Sequence, residues 1–277
     1  MNFALLFFCE SKANCKNKEN QTNMELASSQ FYPKKTIKHF DLLPSTNDFA
    51  MNWCQSDDLP PEGSVVITEN QSNGRGQAQN KWHSEAHQNL TFSMIYYPDF
   101  LDLDHIFALN MLTSLAVLDV VLAQKIPNAF VKWPNDIIID SQKVAGILIR
   151  NILSGKKIAA SVIGIGLNVN QTIFPPELPN PTSLQLKTHQ KLNKLAILNQ
   201  LIQAFETRYL ALQSGNYASL KANYLDHLFL LHQKHSFVRK DGVTFRGIIV
   251  DVRDSGHLLV DVDGRIQPFD FKEIGFV

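Results

Sequence analysis

The sequence has few cysteines, no excess of either charge and no histidines at metal-ligand spacing. Its three cysteines, Cys9, Cys15 and Cys54, form no C-x-x-C pair, which argues against a disulfide framework or a structural zinc site and favours a reducing compartment. The nine histidines include no H-E-x-x-H arrangement, so we expect no histidine-bound metal. Lys plus Arg equals Asp plus Glu at 26 each. A net charge of zero gives no long-range attraction to nucleic acid, so any cationic site must be local.

The N-terminal region has no pattern typical of a membrane span. Residues 3–9 are apolar, but this run is too short to cross a bilayer and has no basic flank. Residues 10–30 are rich in Asn, Lys, Ser and Gln, a composition typical of disorder. Met24 is an alternative start. We expect residues 1–35 to form a disordered tail, with no membrane association and a cytoplasmic location.

Strand and helix patterns along residues 36–233 predict an α+β domain, because hairpins argue against a doubly wound parallel sheet. Ser45 or Thr46 is expected to cap the first helix, and Asp104 a long apolar one. The strand at 89–97 is expected to have one face in solvent. Predicted strands cover 36–40, 63–68, 89–97, 130–133, 137–139, 144–149 and 158–165, and predicted helices cover 47–54, 194–213 and 217–231 besides the one after Asp104.

Residues 234–277 have a different pattern. Short β-rich runs alternate with the turn signals Asp241-Gly242, Ser255-Gly256 and Asp263-Gly264. Turns at this regular spacing predict a separate small barrel or sandwich of about 45 residues.

A glycine-containing loop, residues 71–82, follows the predicted strand at 63–68. Gly74 and Gly76 allow a ligand to approach the backbone, and Arg75 adds a planar set of donors matched to phosphate or carboxylate oxygens. The loop lacks the Gly-Lys-Ser/Thr of a Walker A motif and the third glycine of a dinucleotide fingerprint. In isolation such a segment is more often a surface turn. Trp82 either offers a flat face to a planar ligand or belongs to the core.

The segment Lys132-Trp133-Pro134-Asn135-Asp136 is more specific. A lysine in an otherwise apolar strand is costly to bury unless its charge meets an anion. Lys143 repeats this pattern eleven residues later, although a solvated edge-strand lysine has the same appearance. Asn135 and Asp136 are turn formers, and Asp136 is alternatively a Mg²⁺ ligand beside phosphate oxygens. Two lysines on either side of one turn, Lys132 and Lys143, favour a site in which both contact the same anion.

These segments resemble the signature of biotin–protein ligases: a G-R-G-R/Q loop, a K-W-P-N-D turn and a K-x-x-G-I-L strand. Ser45-Thr46-Asn47 and the run at residues 164–170 also match, and the resemblance covers residues 36–277. It implies a mixed β-sheet with helices, as in class II aminoacyl-tRNA synthetases and biotin synthetase-like folds, for a catalytic domain at 36–233. It also implies a small SH3-like β-barrel at 234–277.

The resemblance implies a two-step reaction. Biotin and ATP with Mg²⁺ give biotinyl-5′-AMP, and biotin then passes to a lysine of a biotin carboxyl carrier protein. Lipoate or octanoate ligation, and non-catalytic biotin-responsive binding, are alternatives. The K-W-P-N-D turn argues against the first, and zero net charge with no match to a winged helix-turn-helix before residue 36 argues against the second and against a nucleic-acid partner. The oligomeric state, monomer or weak homodimer, is open.

The resemblance also implies residue roles. Lys143 would bridge the biotin carboxylate and the α-phosphate, and Arg75 would belong to a loop that closes over both. The implied biotin-binding residues are Ser45, Thr46, Asn47, Gln71, Arg75, Gly76, Gln77, Lys143 and Gly146. The implied ATP- and adenylate-binding residues are Arg75, Trp82, Lys132, Asn135, Asp136 and Asn168, with Asp136 as the Mg²⁺ ligand.

Four positions depart from the family pattern, and one of them, Ala145 in place of a frequent Gly, is a small change. Gln77 stands where many relatives have Arg, Gln79 where they have Gly, and Arg150 where an acidic residue is common. Because glutamine cannot neutralise a phosphate, we expect adenylate retention to be weaker or to depend on other groups.

Overall fold

The computed structural model describes residues 31–77 and 80–277. Most of the predicted tail, with Cys9, Cys15 and Met24, lies outside the described residues, as does Gln79. The last tail residues are packed against the domain that follows. The Tyr32 ring meets Tyr96 edge-on with centroids 5.4 Å apart, and Lys35 Nζ lies 3.4 Å from Glu206 Oε1. Tyr32 and Lys35 therefore contact the sheet and the helix that carries Glu206, and the tail boundary at residue 35 stays a prediction.

A seven-stranded mixed sheet forms the centre of the first domain, in the order β1-β2-β3-β7-β6-β5-β4. β1 and β2 pair in parallel, whereas the other neighbours are antiparallel. The strands are β1 (Ile37–Leu43), β2 (Val65–Gln71), β3 (Leu90–Tyr96), β4 (Ala129–Lys132), β5 (Asp136–Ile139), β6 (Gln142–Ser154) and β7 (Lys157–Leu167). Both predicted hairpins, β4–β5 and β6–β7, are confirmed, and so is the α+β class.

Helices cover both faces of this sheet. The described residues contain α1 (Thr46–Trp53), α2 (Ala108–Ala123), α3 (Leu184–Thr188), α4 (Lys194–Gln213) and α5 (Tyr217–Asp226). α1 packs on one face through a small apolar cluster that includes Ala50, Val66 and Ile95. α2, α4 and α5 build the larger core on the opposite face. The predicted bounds of α4 are confirmed, whereas α5 ends earlier than predicted.

The apolar helix α2 does not begin where the sequence predicted. Asp104 lies in a separate 3-10 turn, Leu103–His105, and α2 starts at Ala108 after Phe107, whose ring packs edge-on against Tyr224. Residues Leu103–Ala123 are long and apolar enough to span a membrane, with a mean hydropathy of 2.1. Yet 72% of this most apolar window is buried inside the protein, because the sheet, α4 and α5 surround it. Burial in the core therefore accounts for the hydrophobicity of the helix.

The prediction that β3 has one face in solvent was wrong. All seven residues of β3 are buried, because α1 covers the face that carries Thr91 and Ser93. The Ser93 hydroxyl shares a 3.0 Å hydrogen bond with that of Thr46 in α1. The polar alternation that resembles an exposed face thus marks a buried polar surface.

Residues 234–277 form a five-stranded antiparallel sheet in the order β11-β10-β9-β8-β12. Its strands are β8 (Lys234–Arg239), β9 (Thr244–Val252), β10 (Leu258–Val262), β11 (Arg265–Phe269) and β12 (Ile274–Phe276). Trp133 Nε1 donates a 2.8 Å hydrogen bond to the carbonyl of Gly256 and so joins this sheet to the first domain. The domain boundary at residue 234 and the SH3-like description stay predictions.

Candidate active site

A cavity of about 130 Å³ lies at the sheet, where α1, the loop after β2 and the strands β3, β5, β6 and β7 meet. Every residue implied for biotin binding lines it: Ser45, Thr46, Asn47, Gln71, Arg75, Gly76, Gln77, Lys143 and Gly146. From the implied adenylate set, Trp82, Asn135 and Asp136 also line it. Segments separated by about a hundred residues in the chain therefore converge on one space.

The wall at α1 is built from buried polar groups with fixed partners. Ser45 has extended backbone and caps the helix, because its hydroxyl accepts a hydrogen bond from the Asp48 N–H. The Thr46 N–H donates to Gln71 Oε1 at 2.8 Å. Asn47 Nδ2 donates to the Leu148 carbonyl at 3.2 Å. Each polar side chain is held in one orientation, as a site that selects a polar ligand requires.

One cationic group of the cavity is Lys143 on β6. Its Nζ lies 2.6 Å from Asp136 Oδ1 at the start of β5, and 5.8 Å from the centroid of the Trp82 ring. A bulge in the β5–β6 pairing shifts the register between Ile137 and Ile138, beside the position where Ile138 pairs with Lys143. The Asp136 carboxylate thus fixes the position of this lysine, and the pair lies at the cavity wall.

Two residues implied for the adenylate side do not line the cavity. Lys132 Nζ lies 4.9 Å from the centroid of the Phe276 ring in the C-terminal sheet. Burial lowers the pKa of Lys132, nearby Asp136 raises it, and Lys143 lowers it. Asn168 is buried, and its Nδ2 donates to the Thr182 carbonyl at 2.9 Å. For these two residues, roles at the phosphates and the adenylate stay predictions.

The indole of Trp82 rests directly on two glycines of the sheet. A Cβ at Gly166 would lie 2.2 Å from Trp82 Cε2, and one at Gly146 would lie 3.1 Å from Trp82 Cζ3. Only glycine leaves room for the ring at position 166. Trp82 therefore belongs to the cavity wall, whereas Gly166 was absent from the predicted set although it lies in the matching run at 164–170.

The loop after β2 folds back on itself. Gly76 N–H donates to the Asn80 carbonyl at 2.7 Å, and Trp82 N–H donates to the Gly74 carbonyl at 3.0 Å. A Cβ at Gly74 would lie 2.3 Å from the Trp82 carbonyl oxygen, so this close return of the chain requires glycine. Arg75 Nε lies 2.7 Å from Asp48 Oδ2 in α1.

The turn between β4 and β5 is fixed by Asn135. Its Nδ2 donates to the Ile147 carbonyl at 2.6 Å, and the Ile147 N–H donates back to the Asn135 carbonyl at 3.0 Å. The Trp133–Pro134 peptide bond in this turn is cis. The reciprocal hydrogen bonds attach the turn to β6 and hold Asp136 beside Lys143.

The sequence reasoning missed several residues that the structure brings to this region. Asp48 contacts Arg75, and Thr91 of β3 lines the cavity. Arg150 was noted only as a departure, yet its Nη1 lies 2.7 Å from Asp48 Oδ1. The alternation of polar residues in β3 was the one local signal for Thr91, whereas nothing local indicated the contact between Asp48 and Arg150.

The side chains at the cavity supply few ligands for a metal ion. Within residues 31–77 and 80–277, no cluster of three or more His, Cys, Asp or Glu side chains could hold a metal ion. Asp136 is a single carboxylate beside Lys143. One carboxylate fits a Mg²⁺ ion that takes its other ligands from phosphate oxygens and water, as Mg²⁺ commonly does.

Comparison of the sequence with known proteins identifies its family. Residues 39–168 match the biotin/lipoate A/B protein ligase family. The biotin–[acetyl-CoA-carboxylase] ligase of Mycobacterium tuberculosis is 30% identical over 210 residues, which cover 74% of this chain and 75% of that protein. The chain belongs to the biotin protein ligase family. The bifunctional ligase/repressor BirA of Bacillus spizizenii is 29% identical over 230 residues, 82% of this chain and 70% of that protein.

Solved structures of biotin protein ligases share the fold. The Aquifex aeolicus enzyme in complex with biotin and ATP aligns with a TM-score of 0.72 and 22% identity, covering 87% of this chain and 98% of that one. The Leishmania major enzyme in complex with biotinyl-5-AMP aligns with a TM-score of 0.57 and 19% identity, over 85% and 98% of the two chains. The mixed-sheet architecture expected for a biotin protein ligase is therefore confirmed.

Proposed function

We propose that this protein activates biotin with ATP to form biotinyl-5′-AMP, and then transfers biotin to a lysine of a biotin carboxyl carrier protein. The observation that carries this proposal is the convergence of Arg75, Lys143 and the polar groups of α1 on one cavity. Membership of the biotin protein ligase family supports the same reaction.

The first step brings two anions together. A carboxylate oxygen of biotin attacks the α-phosphorus of ATP, an O–P bond forms, and the bond to pyrophosphate breaks. Lys143 and Arg75 supply fixed positive charge that offsets the repulsion, and a preorganised charge of this kind often contributes several kcal/mol to catalysis. Asp136 is the carboxylate that would hold a Mg²⁺ ion brought with ATP, and such an ion would supply positive charge at the phosphate oxygens. Positioning of the reactants contributes the remainder.

The second step breaks the mixed anhydride. The neutral amine of the carrier lysine attacks the biotin carbonyl carbon, a C–N bond forms, and AMP leaves with the bridging oxygen. Closure of the loop around Arg75 over the adenylate would exclude water and slow its hydrolysis. The carrier lysine must lose a proton, and no residue is assigned as its base.

The polar wall of the cavity suits the ring of biotin. A ureido group presents two N–H donors and one carbonyl acceptor. Ser45, Thr46, Gln71 and Thr91 place hydroxyl and amide groups at the cavity. A buried polar group without a partner costs about 1–3 kcal/mol, so such a wall disfavours acids with an alkyl chain in that place.

A substrate panel tests this function. The protein is incubated with Mg·ATP and biotin, lipoate or octanoate, and pyrophosphate release is followed. We expect rapid release with biotin and little with the other two acids. Release with lipoate but not with biotin would overturn the proposal in favour of lipoate ligation, and tight biotin binding without release would indicate a binding protein.

Cytoplasmic location is part of the proposal. Cys54, the one cysteine among the described residues, is free, and burial raises the pKa of its thiol to about 11. A thiol that stays protonated is poorly reactive.

A further inference from the structure

One carboxylate at the edge of the cavity binds two guanidinium groups. Asp48 lies in the first turn of α1, and its Oδ2 is 2.7 Å from Arg75 Nε. Its Oδ1 is 2.7 Å from Arg150 Nη1 on β6. The same Arg150 nitrogen lies 3.4 Å from Asn47 Oδ1. Asp48 therefore connects the loop, the helix and the sheet at one point.

The atom at which Asp48 contacts Arg75 decides which donors remain for a ligand. Asp48 contacts Arg75 at Nε. A guanidinium has five N–H donors and one carboxylate engages only one or two of them, so Arg75 keeps donors for another anion. Arg75 lines the 130 Å³ cavity and also a neighbouring one of about 460 Å³, to which Lys81 and Arg150 contribute. Two arginines this close would repel each other without the carboxylate between them.

We propose that Asp48 is a positioning residue for adenylate formation, and this inference rests on the proposed function. The carboxylate holds Arg75 by Nε and keeps Arg150 beside it, so that both guanidinium groups face the bound anion from fixed places. Gln77 adds no charge to the loop, whereas Arg150 on β6 and Lys81 add positive charge beside Arg75 in the neighbouring cavity. Asp48 itself does not contact the reacting atoms.

The fold does not depend on these contacts. The side chains of Asp48, Arg75 and Arg150 are 30%, 54% and 37% exposed. Ion pairs this exposed contribute little to stability. Loss of the Asp48 carboxylate should therefore change the placement of Arg75 without unfolding the protein.

The test compares Asp48→Asn, Asp48→Glu and the control Asp41→Asn, which removes the same charge at an exposed residue of β1. We expect Asp48→Asn to raise the KM for ATP about tenfold, the size expected when a charge-assisted hydrogen bond is lost. Asp48→Glu should restore most of the wild-type KM, and Asp41→Asn should leave it unchanged. An unchanged KM in Asp48→Asn, or equal damage in Asp48→Glu, would overturn the inference.

A second readout separates the inference from the proposed function. The Nε–H resonance of Arg75, assigned with Arg75→Lys, should be protected from exchange in the wild type and lost in Asp48→Asn. If this resonance behaves as expected while the wild type releases no pyrophosphate with biotin, the proposed function fails and the placement of Arg75 by Asp48 holds. If the wild type is active and the resonance is the same in both proteins, the inference fails alone.

Discussion

In the proposed function, Lys143 is the residue that carries positive charge to the reacting groups. Its Nζ is held 2.6 Å from Asp136 at the cavity wall, where we propose that the biotin carboxylate and the α-phosphate meet. We predict that Lys143→Ala lowers the rate of adenylation roughly 10²–10³-fold, as loss of one preorganised charge-stabilising group does. Pyrophosphate release measures the rate, and circular dichroism checks the fold.

Lys156→Ala is the matched control, because Lys156 is an exposed lysine in the turn between β6 and β7. It should retain the wild-type rate. A wild-type rate in Lys143→Ala would contradict the role assigned to this lysine.

A substitution at Gly166 tests whether the Trp82 indole needs the space that this glycine leaves. A Cβ at this position would overlap the indole, at 2.2 Å from Cε2. We predict that Gly166→Ala displaces Trp82 and raises the KM for ATP at least about fivefold, in keeping with the 1–3 kcal/mol that overpacking costs. Gly146→Ala should have a smaller effect, because its Cβ would lie 3.1 Å from the ring. Tryptophan fluorescence and steady-state kinetics follow both, and equal effects would argue against steric displacement.

At the residue scale, the family motifs predicted cavity-lining residues that the spacing of neighbouring residues does not reveal. The residues implied for the biotin pocket all line one cavity. Asp48 and Gly166 escaped notice because their importance arises from contacts made on folding: Asp48 with a loop and a distant strand, and Gly166 with an indole from another loop. No pattern local to either residue carries that information.

Among the secondary-structure elements, the start of α4 is linked to β2 by an ion pair in addition to its apolar packing on the sheet. Glu69 of β2 lies 3.2 Å from His39 Nε2 and 2.5 Å from Lys194 Nζ at the start of α4, while the exposed His87 lies 3.4 Å away. The hydrogen bond from His39, followed by the contact with Lys194, lowers the pKa of Glu69 from 4.5 to about 2 against the opposing effect of burial. The ionised carboxylate therefore stabilises the folded state.

We predict that Glu69→Gln lowers the free energy of unfolding at pH 7 by roughly 3 kcal/mol, the size that such a shift corresponds to. Because the folded pKa is lowered, the contribution is fully present above about pH 4.5 and is lost as the pH falls toward 2. Urea unfolding of both proteins from pH 7 to pH 3 should show the difference shrinking. Glu177→Gln, at an exposed glutamate, is the control. A difference that is constant with pH would contradict the assignment.

The errors at this scale have a common cause. Alternation in β3 predicted a solvent face, but α1 covers it; Thr91 lines the cavity and Ser93 shares a hydrogen bond with Thr46. Asp104 had the chemistry of a helix cap, but α2 begins at Ala108 after Phe107, whose ring packs against α5. In both places tertiary packing overrode a local preference.

For the whole molecule, the α+β class and the family were accessible from the sequence. The placement of the C-terminal sheet was not, because it depends on contacts such as Trp133 with Gly256 and Lys132 with Phe276. The K-W-P-N-D turn therefore contacts both the cavity and the C-terminal sheet. Asn135 and Asp136 line the cavity, while Lys132 and Trp133 contact residues 234–277.

Transfer to a carrier tests the central claim most directly. The protein is incubated with biotin, Mg·ATP and a biotin carboxyl carrier domain, and the carrier is examined by mass spectrometry. We predict one biotinyl group on the acceptor lysine, with no modification when ATP is omitted or when that lysine is replaced by arginine. A carrier that stays unmodified, while a lipoyl domain in a parallel reaction gains a lipoyl group, would contradict the account.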